Sequence, residues 1–243
     1  MTIRIAMWSG PRNISTAMMR AWENRGDCSV SDEPLYAHYL AETRSDHPGR
    51  DDVIAAGETD WRKVTDALVG DVPDGQSVWY QKHMSHHLLP HIGHDWIYAL
   101  TNVFLIRDPD EVVSSYLRTR DTVTPDDIGI PQERRLFDEI ADRDGAPPPV
   151  IDADEFLRAP EAHLRALCAR LAIPFMDRML TWPAGPRASD GIWAPHWYAA
   201  VWKSTGFEPP RDRAAIRLEG EAKRVSDACR EDYELLRRHR IAV

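Results

Sequence analysis

The sequence is poor in cysteine, in long apolar runs and in net positive charge. Cys28, Cys168 and Cys229 are its three cysteines, odd in number and widely spaced. They supply neither a metal-binding pattern nor a disulfide framework, so reduced thiols in a cytoplasm are the expectation. No apolar run approaches the roughly 20 residues of a membrane span, which argues against a protein that crosses a bilayer. The first residues enter a strand pattern directly, without the basic start, apolar stretch and cleavage site of a secretory leader. With 30 basic against 39 acidic residues the net charge is −9. That balance argues against a general binder of nucleic acid or of anionic membranes. An anionic small ligand then requires a local cluster of cations. There is no internal repeat and no low-complexity tract, and 243 residues, 43% of them hydrophobic, suit a single domain over 1–243 with its own core.

What is present is an alternation of short apolar strands with helices. Residues 3–8 are apolar and stop at Ser9-Gly10-Pro11, which predicts a buried strand ending in a turn. Over 14–25, Ile14, Ala17, Met18, Ala21 and Trp22 repeat at helical spacing. Further strands are predicted at 77–82, 102–106 and 150–152, and further helices at about 110–120, 160–171 and 220–238. This order predicts an α/β fold of three layers, a mostly parallel sheet flanked by helices. Ligands in such sheets bind beyond the carboxyl ends of the strands, so the residues after Trp8, Lys82 and Arg107 should converge. Residues 43–57 and 121–130 are polar and aperiodic and read as surface loops, one of them a candidate lid.

The loop from Gly10 through Pro11, Arg12, Asn13, Ile14 and Ser15 to Thr16 joins the first strand to a helix N-terminus. Backbone N–H groups, the helix dipole, the Arg12 fork and two hydroxyls together suit a phosphate or sulfate. The nucleotide-loop pattern G-x-x-x-x-G-K-[ST] is not met, because the second Gly and the Lys are absent. The plain alternative is a strand and helix joined by a Ser/Thr-capped turn. Pro11 to Met18 resembles the 5′-phosphosulfate loop of sulfotransferases that use 3′-phosphoadenosine 5′-phosphosulfate. Arg12 stands at the family's Lys, and Ser15 and Thr16 stand at its Thr pair.

Two more segments carry the resemblance. Val103 to Tyr116 is similar to the family's strand ending in Arg followed by a helix bearing Ser, which places Arg107 and Ser115 on the donor's 3′-phosphate. Tyr80 to Pro90 is similar to the segment that carries the catalytic base, which lands on His83. The family's Lys precedes its His by two positions, whereas Lys82 is adjacent to His83 and Gln81 takes the matching place. Residues 150–175 resemble the family as a strand, an acidic turn and a Pro-initiated helix. A Trp-rich stretch, 193–207, reads either as a late basic loop over the nucleotide through Lys203, Ser204 and Thr205, or as a core helix stopped by Gly206.

His83, His86, His87, His91 and His94 crowd one region. A zinc reading with His83, His87 and His91 on one helical face lacks a full ligand set, so no metal is expected. The resemblance implies a P-loop NTPase-like fold of sulfotransferase type. It also implies transfer of a sulfuryl group from the phosphoadenosine donor to a hydroxyl or amine of a small-molecule acceptor. Arg12 and the loop would stabilise the departing phosphate and His83 would take the proton. Asp32 and Glu33 would line the acceptor side, with Glu33 the fallback base. Two rivals stay open: a Mg²⁺-dependent nucleotide kinase or hydrolase on the same loop, and a non-catalytic nucleotide-binding protein of the same fold. A homodimer is also left open.

Overall fold

The computed structural model describes residues 2–210 and 216–243. Its centre is a five-stranded parallel sheet in the order β2-β3-β1-β4-β5. The strands are β1 (Ile3–Ser9), β2 (Cys28–Asp32), β3 (Val78–Met84), β4 (Thr101–Ile106) and β5 (Val150–Asp152). In β1, Ile5 to Ser9 are all buried, as a central strand covered on both faces must be. Ala6 and Trp8 face one apolar layer while Ile5 and Met7 face the other, the alternation that a pleated strand enforces. Each large side chain buried this way contributes about 1.5–3 kcal/mol.

Helices α1 (Ser15–Glu23), α8 (Ala153–Arg158) and α9 (Pro160–Arg170) pack on the Ile5 face through Met18, Trp22, Phe156 and Leu164. The other face takes α4 (Trp61–Val69), α5 (Pro109–Tyr116), α7 (Ile130–Asp144) and α11 (Gly220–Arg237), through Leu68, Val113, Phe137 and Cys229. The remaining α-helices among the described residues are α2 (Tyr36–Thr43), α3 (Arg50–Ala56), α6 (Pro125–Ile128) and the single turn α10 (Ala194–Trp197). The chain runs from β1 outward to β2 on one side and, after β3, crosses β1 to β4 on the other. The order therefore reverses at β1, and the crevice beyond its carboxyl end is where such sheets bind ligands.

Two predicted loops hold short helices. Residues 43–57 contain α3, entered through Gly49 at φ 71°; it buries only Val53, too little to show an apolar period. Residues 121–130 contain α6, one turn fixed by a capping box between Thr124 and Asp127 with Pro125 at its start. The zinc reading fails on geometry, because His83 lies in β3 and Ser85–His87 is a single 3-10 turn, so no helical face carries His83, His87 and His91 together.

Candidate active site

The loop after β1 leaves the strand at Ser9 and enters α1 with no side chain capping the helix. The first helical N–H groups are therefore left for a ligand. Arg12 sits in the left-handed region at φ 57°, a conformation that costs a non-glycine residue about 1–3 kcal/mol and must be held by its surroundings. The Asn13 amide donates to the Leu105 carbonyl at 2.7 Å, tying the loop to β4. Gly10 is packed so closely that a Cβ there would lie 2.2 Å from the Ile128 carbonyl oxygen, which is why this position has no side chain.

Arg12 Nε donates to Ser115 Oγ at 3.1 Å across 103 positions of sequence. Arg107 donates through Nη1 to the Arg12 carbonyl at 2.7 Å and through Nε to Glu111 at 2.7 Å. Arg118 lines the same cleft. Burial, with Arg107 and Arg118 nearby, lowers the Arg12 pKa, the mark of a partly desolvated cationic cluster. The cleft encloses about 550 Å³, within the range of small-molecule sites. Residues 11–16, Arg107 and Ser115 line it, while Gly10 supports the loop from behind.

The floor of the cleft is a buried ion cluster. Lys82 Nζ donates to Asp32 Oδ1 at 2.7 Å, to Glu33 Oε1 at 2.8 Å and to the Tyr198 hydroxyl at 2.6 Å. Those three bonds use every hydrogen of the ammonium group. Tyr198 in turn donates to Asp32 Oδ2 at 2.6 Å, and the Gly191 amide donates to the same oxygen at 3.1 Å. Burial alone would lower the Lys82 pKa, but Asp32, Glu33 and Tyr198 hold it well above its usual value. Glu33 is the second strained residue, at φ 45°, and it faces the cleft. Burial raises its pKa, against the pull of Lys82. His86 and His87 line the cleft from the turn after β3, and burial keeps both imidazoles neutral, His86 at about 3 and His87 well below its usual value.

His83 does not reach the cleft. Successive residues of β3 point to opposite faces, and Lys82 takes the cleft side. His83 therefore lies on the face of Gln81, 2% exposed, its ring stacked 4.4 Å from Trp8 and its Nε2 3.3 Å from Gln81 Oε1. Burial holds its pKa down to about 3. His83→Ala is thus expected to cost about 2–3 kcal/mol of stability through the lost stacking and the cavity. Turnover should stay within about threefold of wild type, because only groups near the reacting atoms carry the large catalytic factors. Denaturant titration and steady-state rates check both halves. Lys203 is likewise outside; it is exposed, while its neighbours Ser204, Gly206 and Phe207 line the cleft. Tyr198 and Lys82, the structural heart of the floor, lie 116 positions apart, and no spacing rule links them.

A strand-to-helix loop at the reversal point of a parallel sheet, faced by clustered guanidiniums, defines an α/β fold of the P-loop-like type. The chain belongs to the sulfotransferase-domain family, whose profile matches residues 3–217. The sulfotransferase domain of the Synechococcus PCC 7002 olefin synthase shares its fold, with a TM-score of 0.51 and 14% identity over 93% of this chain and 94% of that one. Two curated Arabidopsis thaliana proteins, branched-chain-amino-acid aminotransferase-like proteins 2 and 1, are 38% identical to it over 208 and 211 residues, covering 85% of this chain. The chain spans 36% and 37% of their lengths.

Among the described residues no group of three or more His, Cys, Asp or Glu could hold a metal ion, and no helix is long and apolar enough to cross a membrane.

Proposed function

We propose that this enzyme transfers a sulfuryl group from 3′-phosphoadenosine 5′-phosphosulfate to a hydroxyl or amine of a small-molecule acceptor, with Glu33 as the base. The observation that carries this reading is the meeting of Arg12, Arg107 and Ser115 at the mouth of an uncapped helix. Three fixed donors and a helix dipole suit a ligand with two separate anionic groups. On this reading Arg107 and Ser115 hold the 3′-phosphate, and Arg12 with the loop amides holds the 5′-phosphosulfate.

The acceptor oxygen or nitrogen attacks sulfur in line with the bond to the 5′-phosphate. Its lone pair forms the new bond to sulfur while the old S–O pair stays with the departing phosphate. Arg12 and the loop amides neutralise that growing charge, the dominant catalytic term for such transfers. The acceptor's proton goes to Glu33. Lys82, with all three hydrogens committed, orients Glu33 and leaves the sulfuryl group to the loop. The free, buried state of the three cysteines supports a cytoplasmic setting.

The test is ligand binding by thermal shift without divalent metal. Adenosine 3′,5′-bisphosphate at 100 times its dissociation constant should stabilise the protein by about 2.7 kcal/mol. Arg107→Ala should weaken that binding by about 100-fold, as removal of a charged hydrogen-bonding partner does. A shift with ATP only when Mg²⁺ is present, and none with the bisphosphate, overturns the donor assignment in favour of a kinase or hydrolase.

A further inference from the structure

Behind the phosphate loop lies a carboxyl group that the chemistry above does not use. Glu133 sits in the first turn of α7, fully buried, with both side-chain oxygens lacking a hydrogen-bond partner. Helix α7 begins at Gly129, in the left-handed region at φ 79°. Gly129 approaches so closely that a Cβ on it would lie 3.4 Å from the Cα of Gly10. A Cβ on Gly10 would in turn lie 3.5 Å from Glu133 Oε1. The groups facing the carboxyl are the Gly10 N–H from the loop and the Ser85 hydroxyl from the turn after β3. Ser85 Oγ is itself buried without a partner. Beyond Gly129 stands His86, whose imidazole is neutral.

A carboxylate buried without a cation is strongly disfavoured, whereas a neutral carboxyl in the same place needs only a donor and an acceptor. The loop amide and the serine hydroxyl are such a pair. We propose that Glu133 is a positioning residue that acts in its protonated form. Its carbonyl oxygen accepts from the Gly10 N–H and its O–H donates to Ser85 Oγ. The phosphate loop is thereby fastened to α7 and to the end of β3. Ionisation would remove the donor to Ser85 and set a negative charge directly behind an anion-binding loop. Burial raises the Glu133 pKa well above its usual value, outweighing the Gly10 and Ser85 hydrogen bonds that favour the ionised form. The loop-fastening role stands on this geometry, and its consequence for the donor rests on the function proposed above.

Three readouts on the intact chain separate the parts. The carboxyl carbon of Glu133 and the backbone amide of Gly10, followed by NMR across a pH titration, should titrate together above the ordinary carboxylate range, as buried glutamates can. In Glu133→Gln, which keeps one acceptor and one donor, the Gly10 signal should be flat. Affinity for adenosine 3′,5′-bisphosphate should fall about tenfold in the wild type across that titration, through repulsion by a weakly screened charge, and stay level in Glu133→Gln. Stability supplies a third readout. An acid whose folded pKa is raised binds its proton more tightly when folded, so wild-type stability declines as pH rises from the unfolded towards the folded pKa. Glu133→Gln removes that decline, and its thermal advantage over wild type should grow with pH. A Glu133 carbon that titrates in the ordinary carboxylate range overturns the proposal, as does a Gly10 signal unchanged between wild type and Glu133→Gln. Absence of bisphosphate binding in every variant at every pH sinks the donor reading alone, because the two NMR titrations and the stability difference need no donor.

Discussion

Glu33→Gln is expected to lower kcat by about 10²- to 10⁴-fold, the usual contribution of a general base, while affinity for adenosine 3′,5′-bisphosphate stays within about threefold. The amide keeps the shape of the side chain and still accepts from Lys82 Nζ, now 2.8 Å away, but it cannot take a proton. The backbone at φ 45° keeps the side chain in the cleft, fixed by the Glu33 N–H to Lys82 carbonyl bond at 3.0 Å. The pH profile tells a lost base from a misplaced one. A base works deprotonated, and burial raises the Glu33 pKa, so kcat/KM should rise with pH through that raised value and level off above it. In Glu33→Gln the residual rate should lack this limb. Full turnover with the acidic limb intact would remove Glu33 from the mechanism.

Lys82→Met is expected to destabilise the fold by about 3–5 kcal/mol, the cost of leaving buried charge without its partner. Asp32 and Glu33 would then face each other with no cation between them, and the Tyr198 hydroxyl would lose its donor. The variant's two carboxyls would have folded pKa values raised above their unfolded ones. Groups of that kind lose stability as pH rises, so the deficit should be largest near neutrality and shrink as pH falls towards the carboxylate range. Adding Glu33→Gln should recover part of the loss, since one of the two opposed charges is gone and residues in contact do not behave additively. Urea titrations of the two single variants and the double variant give the coupling directly. A loss under about 1 kcal/mol in Lys82→Met would mean that the cluster is solvated and only weakly paired.

Much of this architecture is legible in the sequence. β1, the loop and α1 were readable because a central strand is apolar throughout and the helix shows its period. β5 was predicted at the residues where it occurs, Val150–Asp152. Arg12 and Arg107 follow the ends of β1 and β4, and Ser115 stands near the end of α5, so parallel topology brings the three to one cleft. His83 shows where a motif laid on a sequence fails. Its spacing from Leu88, Leu89 and Pro90 fits, yet in a strand the neighbour of a cleft residue points away, and the adjacent Lys82 holds the cleft side. Glu133 was invisible for another reason. It stands among Gln132, Arg134 and Arg135, a polar stretch with no apolar signal, and the packing of α7 against Gly10 buries it alone of the four. The Lys82, Asp32 and Tyr198 cluster joins three distant segments, and local pattern carries no information about such meetings.

The Trp-rich segment leaves and returns through one neck. Thr181 and Gly206 form an antiparallel bridge, the Trp182 N–H donates to the Thr205 carbonyl at 3.0 Å, and the Trp182 indole donates to Ser204 Oγ at 3.1 Å. Everything between, including Tyr198 over the cleft floor, is a cassette whose two ends are already joined. Closing a longer loop costs little extra entropy once its ends are fixed, about 0.6 kcal/mol per doubling. The wall of the cleft can therefore change length and composition while the sheet register and the phosphate loop stay as they are. In this scaffold a lineage can exchange the wall of the cleft without rebuilding the sheet and the loop beneath it.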